Sequence, residues 1–371
     1  MNQTKVIGQA EIKKSLSNLV KDGQIPHAMM FLGPKGVGKL AMAMALAGNL
    51  ICKDTENGVA CGKCSSCLKH EKMIHPDIHY SFPFVGSKVT SDHFLPQWRT
   101  FIKESPYRSF EEWMHYIGAE NKQGNINTLE CVHITKKLNL KSFEGNKKIL
   151  VMWLPEFLGK EGNRLLKLIE EPPEHTFFIL VTDHQDLILN TILSRCQMVK
   201  FSQCSDEEIA NGLTQMEQVA SEKAKMIARI ADGNYHEALK LKNEVQNDYE
   251  ILFVDWLRKC YKGKKSELVT VSEQIAAMGR ESEKQFFKYG LHFLREMMLL
   301  KFGDRPSHLP ENQQSSAVKL GSLLSFEQLE SMAELFTECI FYIERNANPK
   351  ILLLNTSIQL HKIMRNLVVC T

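Results

Sequence analysis

The sequence has no long hydrophobic run. Of its 371 residues 43% are hydrophobic, yet no apolar stretch reaches the ~18 residues that suggest a membrane span. The segment Met1–Gln9 also lacks the apolar region and cleavage site of a signal peptide. We therefore expect a cytoplasmic protein with no membrane partner.

The chain also carries little excess charge. Its formal net charge is +3, with 24% charged residues, which is too small to indicate a nucleic-acid-binding surface by itself. Its ten cysteines would stay reduced in a cytosol, so we expect metal ligands and buried thiols rather than disulfides. The length predicts two or three domains.

A glycine-rich loop occupies residues 33–40, Gly-Pro-Lys-Gly-Val-Gly-Lys-Leu. Gly33, Gly36 and Gly38 would let backbone amides approach an anion, and the helix that follows would add its positive N-terminal end. Lys39 would reach the outer phosphates of a nucleotide. The pattern predicts a phosphate-binding loop (P-loop), and it leaves open whether ATP or ADP binds there.

The residues that hold Mg²⁺ in an ATPase are missing. A P-loop needs Ser or Thr after its lysine, and here Leu40 follows. The predicted strand 148–153 should lead into acidic residues that bind Mg²⁺ and orient water, but Trp153 and Leu154 occupy those positions, and we expect Glu156 to face outward. These losses predict no ATP turnover. The competing hypothesis is an active ATPase with substituted magnesium ligands.

Four cysteines follow the P-loop helix closely: Cys52, Cys61, Cys64 and Cys67. Four thiolates suit a closed tetrahedral zinc site, which is structural rather than catalytic. An iron–sulfur cluster and free thiols are the alternatives, although the expected fourth Cys-Pro of a bacterial ferredoxin motif does not follow. A zinc-dependent DNA-binding module is a further hypothesis, weakened by the few basic residues in this segment.

Strands and helices alternate in the first half of the chain. Apolar runs predict strands, and an amphipathic segment that Pro172 ends predicts a helix between two of them. The predicted strands are Ala28–Leu32, Lys148–Trp153, Thr176–Thr182 and Met198–Phe201, and the helix is Glu161–Glu171. This order predicts an α/β domain with a parallel sheet flanked by helices.

The remaining chain divides into three parts. Residues 83–125 look like an insertion whose aromatic residues form two short helices packed on the main body. Strand signals stop near residue 205, and a small helical unit follows with a break at Asp232–Tyr235. From about residue 250 the pattern is helical to the end, interrupted by a polar loop at residues 305–315.

Several segments together resemble the clamp-loader subunits of bacterial DNA polymerase III, which belong to the AAA+ superfamily. The two most specific are residues 163–173, Asn-Arg-Leu-Leu-Lys-Leu-Ile-Glu-Glu-Pro-Pro, and 191–197, Thr-Ile-Leu-Ser-Arg-Cys-Gln. The others are Val6–Gln9, Ile25–Ala28, the four-cysteine module that gamma/tau and delta-prime members share, and Asn346–Lys350. Only the insertion lies outside the resemblance.

The resemblance implies three domains. Residues 1–203 would form an AAA+ P-loop domain that includes the zinc module at 52–67 and the insertion at 83–125. Residues 204–248 would form a small helical lid, and 249–371 an all-α collar domain for oligomerisation.

The resemblance also implies partners and one residue that acts between subunits. Arg195, in the Ser-Arg-Cys motif, would be an arginine finger that reaches the ATP of a neighbouring subunit and stabilises charge on the transferred phosphoryl group. The partners would be gamma/tau and delta subunits in a hetero-oligomeric, pentameric ring, which loads a sliding clamp onto primed DNA.

Two departures from the family pattern concern this chain's own nucleotide site. His236 replaces the ATP-sensing arginine of the second domain, and Asp183 follows the strand where an Asn or Thr would contact phosphate. The losses affect the chain's own site, whereas Arg195 serves a neighbour's. This asymmetry matches a non-hydrolysing member of the family rather than an active ATPase.

Overall fold

The computed structural model describes residues 3–120, 122–244, 249–302 and 311–367. The chain forms two compact units, Met1–Leu239 and Lys240–Thr371. The predicted division at 203 and 248 stays a prediction, and residues 245–248 of the predicted lid lie outside the described residues.

The first unit is built on a five-stranded, fully parallel sheet. The strands are β1 Ala28–Leu32, β2 Ile78–Ser81, β3 Lys148–Trp153, β4 Thr176–Thr182 and β5 Gln197–Lys200. Their order is β2-β3-β4-β1-β5. Leu32 at the end of β1 pairs with Thr182 at the end of β4, so the segments that follow these two strands start side by side at one edge of the sheet.

The predicted α/β class is confirmed, and the strand predictions hold with one omission. The continuous apolar runs of β1, β3 and β4 coincide with the predicted strands because both faces of a parallel sheet are covered and call for apolar residues. The sequence prediction missed β2. In its sequence, Ile-His-Tyr-Ser, polar residues interrupt the apolar ones, and a strand of four residues is too short to give a distinct pattern.

Helices surround the sheet in the first unit. They are α1 Ala10–Asp22, α2 Lys39–Ile51, α3 Ser65–Glu71, α4 Ser91–Glu104, α5 Phe110–Tyr116, α6 Thr128–Asn139, α7 Leu166–Glu170, α8 Asn190–Leu193, α9 Asp206–Glu217, α10 Ser221–Ala231 and α11 Tyr235–Glu244. The predicted break before α11 is confirmed, since Asp232 and Gly233 both take left-handed conformations there.

The helix predicted over Glu161–Glu171 is wrong at its beginning. A 3₁₀ segment spans Pro155–Leu165 and bends at Gly159, whose φ is 49°, and the α-helix starts only at Leu166. A 3₁₀ segment keeps apolar side chains at a spacing close to the helical one, so the pattern alone does not separate the two. The end before Pro172 is as predicted.

The insertion contributes α4 and α5, and its two tryptophans pack on the main body as predicted. Trp98 and Trp113 are 1% and 0% exposed. The two indoles pack edge to face with their centroids 5.2 Å apart, and the Trp113 indole donates a hydrogen bond to the carbonyl of Pro83 at 2.7 Å. The insertion is therefore part of the core of the first unit.

The second unit is all helical among the described residues. Its helices are α12 Tyr249–Lys262, α13 Lys265–Ala276, α14 Arg280–Phe302, α15 Glu311–Leu323, α16 Phe326–Glu344 and α17 Pro349–Met364. Aromatic side chains from α12, α14 and α16 form its core around Phe253, which is fully buried. Among the described helices of both units, none combines the length and apolarity needed to cross a bilayer.

Candidate functional site

The P-loop connects β1 to α2, as the sequence predicts. Gly36 and Gly38 have φ angles of 74° and 89°, a left-handed region that favours glycine. A Cβ at Gly36 would lie 1.7 Å from Asn234 Oδ1, so glycine is required there for space as well. The Tyr235 amide donates to the Gly36 carbonyl at 3.1 Å, so the start of α11 lies against the loop.

Lys39 is paired within its own chain. Its side chain is 4% exposed, and Nζ lies 2.8 Å from Asp183 Oδ1. Nζ also donates to the carbonyls of Gly33, at 2.7 Å, and Pro34. Burial lowers the pKa of Lys39, while Asp183 acts in the opposite direction. The ammonium that would meet a phosphate therefore already has a carboxylate and two carbonyls around it.

Glu156 faces inward, so the expectation that it faces outward is wrong. Its Oε1 accepts a hydrogen bond from the Asp183 amide at 3.1 Å, and its Oε2 is buried and finds no hydrogen-bond partner among the described residues. Burial raises the pKa of Glu156. The 3₁₀ turn after β3 brings this carboxylate back toward the P-loop, which a strand-based pattern does not reveal.

The positions that lack magnesium ligands are buried and apolar. Leu40, Trp153 and Leu154 are 4%, 5% and 2% exposed. The Trp153 ring packs against Trp98 of the insertion, with centroids 5.1 Å apart. An indole and an isobutyl group offer no oxygen to a hard cation, so these three positions serve packing.

The insertion reaches the P-loop through Tyr107. A Cβ built on Gly38 would lie 3.1 Å from Tyr107 Cε1, which places the phenol against the start of α2. The Ile7 amide donates to Tyr107 Oη at 2.8 Å, and the Tyr107 ring meets Tyr235 edge to face at 4.9 Å. Sequence reasoning missed Tyr107, because nothing local in an aromatic-rich segment singles out one ring for a distant loop.

His236, at the position where the resemblance implies a sensor arginine, also faces the insertion. The residue is 6% exposed, and its Nε2 lies 3.4 Å from Glu112 Oε2. It therefore contacts a carboxylate rather than an open phosphate site.

The four cysteines of the predicted metal site come together. Their Sγ atoms all lie within 4.8 Å of one another, and Cys52 Sγ is 3.6 Å from Cys61 Sγ and 4.0 Å from Cys64 Sγ. A tetrahedral zinc with Zn–S bonds of 2.3 Å separates its sulfurs by about 3.8 Å. The cluster therefore fits a zinc ion, with its sulfurs near or somewhat beyond that separation.

The surroundings of Cys64 favour a thiolate. Burial alone would raise its pKa, but hydrogen bonds from the backbone of Lys53 and Cys67 and from neighbouring thiols lower the pKa to about 6. A metal ligand must be deprotonated; Cys64 favours this state, whereas burial raises the pKa of Cys52 and Cys67. Outside the cluster, the described cysteines are buried, as expected for small core residues: Cys131, Cys196, Cys204, Cys260 and Cys339. Cys370 lies outside the described residues.

Arg195 lies apart from the P-loop contacts described above. It sits between α8 and β5, and its guanidinium donates to the Thr191 carbonyl at 2.9 Å and lies 3.2 Å from Glu170 Oε2. The side chain is 32% exposed. Glu170 ends the helix of the 163–173 segment, so the two most specific sequence segments meet at this ion pair.

The family match to known proteins falls within the first unit. The family model described as "DNA polymerase III, delta subunit" matches residues 8–205, more than half of the chain. DNA polymerase III subunit gamma of Buchnera aphidicola subsp. Schizaphis graminum is 31% identical over 242 residues, 64% of this chain and 56% of that protein. DNA polymerase III subunit delta' of Bacillus subtilis is 26% identical over 235 residues, 63% of this chain and 59% of that protein.

These matches leave much of each relative uncovered, since the chain matches little more than half the length of either one. Among solved structures, a gamma subunit-related protein of Thermotoga maritima covers 94% of this chain and 99% of its own. That alignment has 15% identity and a TM-score of 0.37.

Proposed function

Since the chain belongs to the DNA polymerase III delta-subunit family, we propose that it is the delta-prime subunit of a clamp loader. In this role it hydrolyses no ATP itself and presents Arg195 to ATP bound by a neighbouring subunit. The observation that carries the proposal is the buried ion pair between Lys39 and Asp183, in a P-loop whose magnesium ligands are absent.

The state of the carboxylates near Lys39 supports the absence of hydrolysis. Protein groups usually bind Mg²⁺ through one or two carboxylates. Here Asp183 is engaged by Lys39, and Glu156 accepts a hydrogen bond from the Asp183 amide. Because Leu40 supplies no hydroxyl, neither end of the usual magnesium site is present.

The position of Arg195 supports action on a neighbour. Its guanidinium is partly exposed and held by a half-exposed glutamate, and such a surface ion pair contributes little stability. A phosphate group of a neighbouring subunit would offer a stronger, bidentate partner. The arginine can thus exchange Glu170 for the phosphate at small cost.

The rest of the assembly follows from the family as part of the same proposal. The chain would join gamma/tau and delta subunits in a pentameric ring in the cytoplasm, and the ring would load a sliding clamp onto primed DNA. Zinc at the four cysteines would be structural. The domains would be the AAA+ core at 1–203, the lid at 204–248 and the collar at 249–371.

The test is a reconstituted loader that contains the full chain with gamma/tau and delta subunits, the clamp and primed DNA. Arg195→Ala should assemble normally, and turnover should fall at the one ATP site that this residue completes, where a trans arginine contributes about 10³–10⁵-fold. Arg229→Ala on α10 is the control that removes a guanidinium elsewhere. Unchanged turnover with Arg195→Ala in an intact complex would refute the assignment.

The competing function is an active gamma/tau-type ATPase. Retention of Lys39, the inward position of Glu156 and the similarity to a gamma subunit favour it. The isolated full chain, incubated with Mg·ATP, distinguishes the two. Turnover above background that Lys39→Ala abolishes would establish the ATPase.

A further inference from the structure

Three aromatic side chains of the insertion pack against segments of the nucleotide site. Trp98 packs on Trp153 at the position of the missing acid, and Phe110 packs on Phe157 just beyond it, with centroids 4.4 Å apart. Tyr107 is the third, and its ring lies against Gly38 of the P-loop.

Tyr107 lies where a bound nucleotide would compete with it. Gly38 is the N-cap of α2, and phosphates bind at that end of a P-loop helix because the first amides point outward there. The phenol is 7% exposed and contacts Gly38. Its hydroxyl accepts a hydrogen bond from the Ile7 amide. Without Tyr107, this amide could donate to a ligand beside the loop.

Charged groups of the insertion lie beside the same segments. Glu111 lies 3.4 Å from Lys35, a residue of the P-loop, and Glu112 lies 3.4 Å from His236 at the start of α11. Two consecutive glutamates of α5 therefore face the two segments that would enclose a nucleotide.

We propose that the insertion, through Tyr107 and the start of α5, is an internal plug that closes the P-loop to nucleotide. This inference deepens the proposed function, since it concerns the same site and specifies that the site is closed rather than merely inactive. The plug fills the space between the P-loop, the segment at Ile7 and the start of α11, where a nucleotide would otherwise bind.

The consequence for affinity follows from population arithmetic. If nucleotide binds only when Tyr107 has moved away, the apparent dissociation constant is the intrinsic one divided by the open fraction. A plug that is open about one hundredth of the time therefore weakens binding about a hundredfold. Removing the ring should recover part of that loss, while the Lys39–Asp183 pair continues to oppose the phosphates.

The experiment is calorimetric titration of the full chain with Mg·ADP. Tyr107→Ala should bind at least about tenfold more tightly than the wild type, and Tyr107→Phe, which keeps the ring, should stay close to the wild type. Tyr116→Ala is the control, because Tyr116 lies on the same insertion and is 39% exposed. A folded Tyr107→Ala chain with wild-type affinity would overturn the proposal, as would tight binding by the wild type.

A second measurement needs no variant. Amide hydrogen exchange at Ile7 in the wild-type chain should be slow and unaffected by millimolar Mg·ADP, because the plug already occupies the site. A change at Ile7 on adding Mg·ADP would contradict the plug. The Arg195→Ala test measures ATP turnover at a neighbouring subunit's site, whereas these tests measure nucleotide binding to this chain. The plug can therefore fail while the proposed function stands, and the proposed function can fail while the plug stands.

Discussion

Lys39 and Asp183 form an ion pair of 2.8 Å across the carboxyl edge of the sheet. In the sequence, Asp183 stands where an Asn or Thr would contact phosphate, and its negative charge alone opposes a phosphate. The structure adds that this charge neutralises the lysine on which phosphate binding depends, so one substitution acts against a nucleotide in two ways.

The first prediction concerns the strength of this pair. Asp183→Asn leaves a buried ammonium with two carbonyls and no carboxylate, and we expect the free energy of unfolding to fall by about 3 kcal/mol. Urea unfolding of Asp183→Asn, Lys39→Met and the double variant should give a coupling energy of about 1–3 kcal/mol.

The control for that cycle is the pair Lys35–Glu111, whose side chains are 49% and 66% exposed. An exposed pair is expected to give less than about 1 kcal/mol. A coupling energy for the buried pair no larger than that of the exposed pair would contradict the prediction.

The second prediction is a pH dependence that originates at Glu156. Because burial raises its folded-state pKa above the ordinary 4.5, the folded chain holds this proton more tightly than the unfolded chain. Stability is therefore lost as pH rises above about 4.5. Each unit of raised pKa corresponds to about 1.4 kcal/mol once both states have ionised.

Glu156→Gln tests the dependence, since the amide oxygen can still accept from the Asp183 amide. Relative to the wild type, the variant should gain stability as pH rises from acidic to neutral, and the difference should vanish toward low pH. Chemical unfolding at a series of pH values measures it, with the exposed Glu171→Gln as control. A difference that does not change with pH would count against this account of Glu156.

The third prediction concerns the metal. Cys64→Ser should reduce bound zinc to background and lower the melting temperature, by about 2–4 °C for each kcal/mol lost, because a structural metal contributes folding free energy directly. Metal analysis and thermal unfolding of the purified chain measure both effects. Cys204→Ser, a buried thiol outside the cluster, should keep its zinc. A wild-type chain that carries iron, or no metal, would contradict the zinc assignment.

The sequence was sufficient for features that depend on neighbours along the chain. Strands β1, β3 and β4 follow from uninterrupted apolar runs, and the end of α7 follows from Pro172. The cysteine cluster follows from the short spacings between its four cysteines. Each of these depends on local periodicity or backbone chemistry, which a window of a few residues contains.

Tertiary structure alone decided which distant residues meet at the P-loop. Because β4 lies beside β1 with Thr182 opposite Leu32, the residue after β4 arrives next to the loop after β1, and Asp183 meets Lys39. Glu156 turns inward because of the 3₁₀ segment after β3. Tyr107 contacts Gly38 because the insertion folds back onto the P-loop. The sequence by itself determined that Leu40, Trp153 and Leu154 stand at positions where magnesium ligands are expected, and that Arg195 is present. Only strand order and the packing of the insertion determined that Asp183 and Tyr107 lie against the P-loop, because those contacts join segments that no local pattern relates.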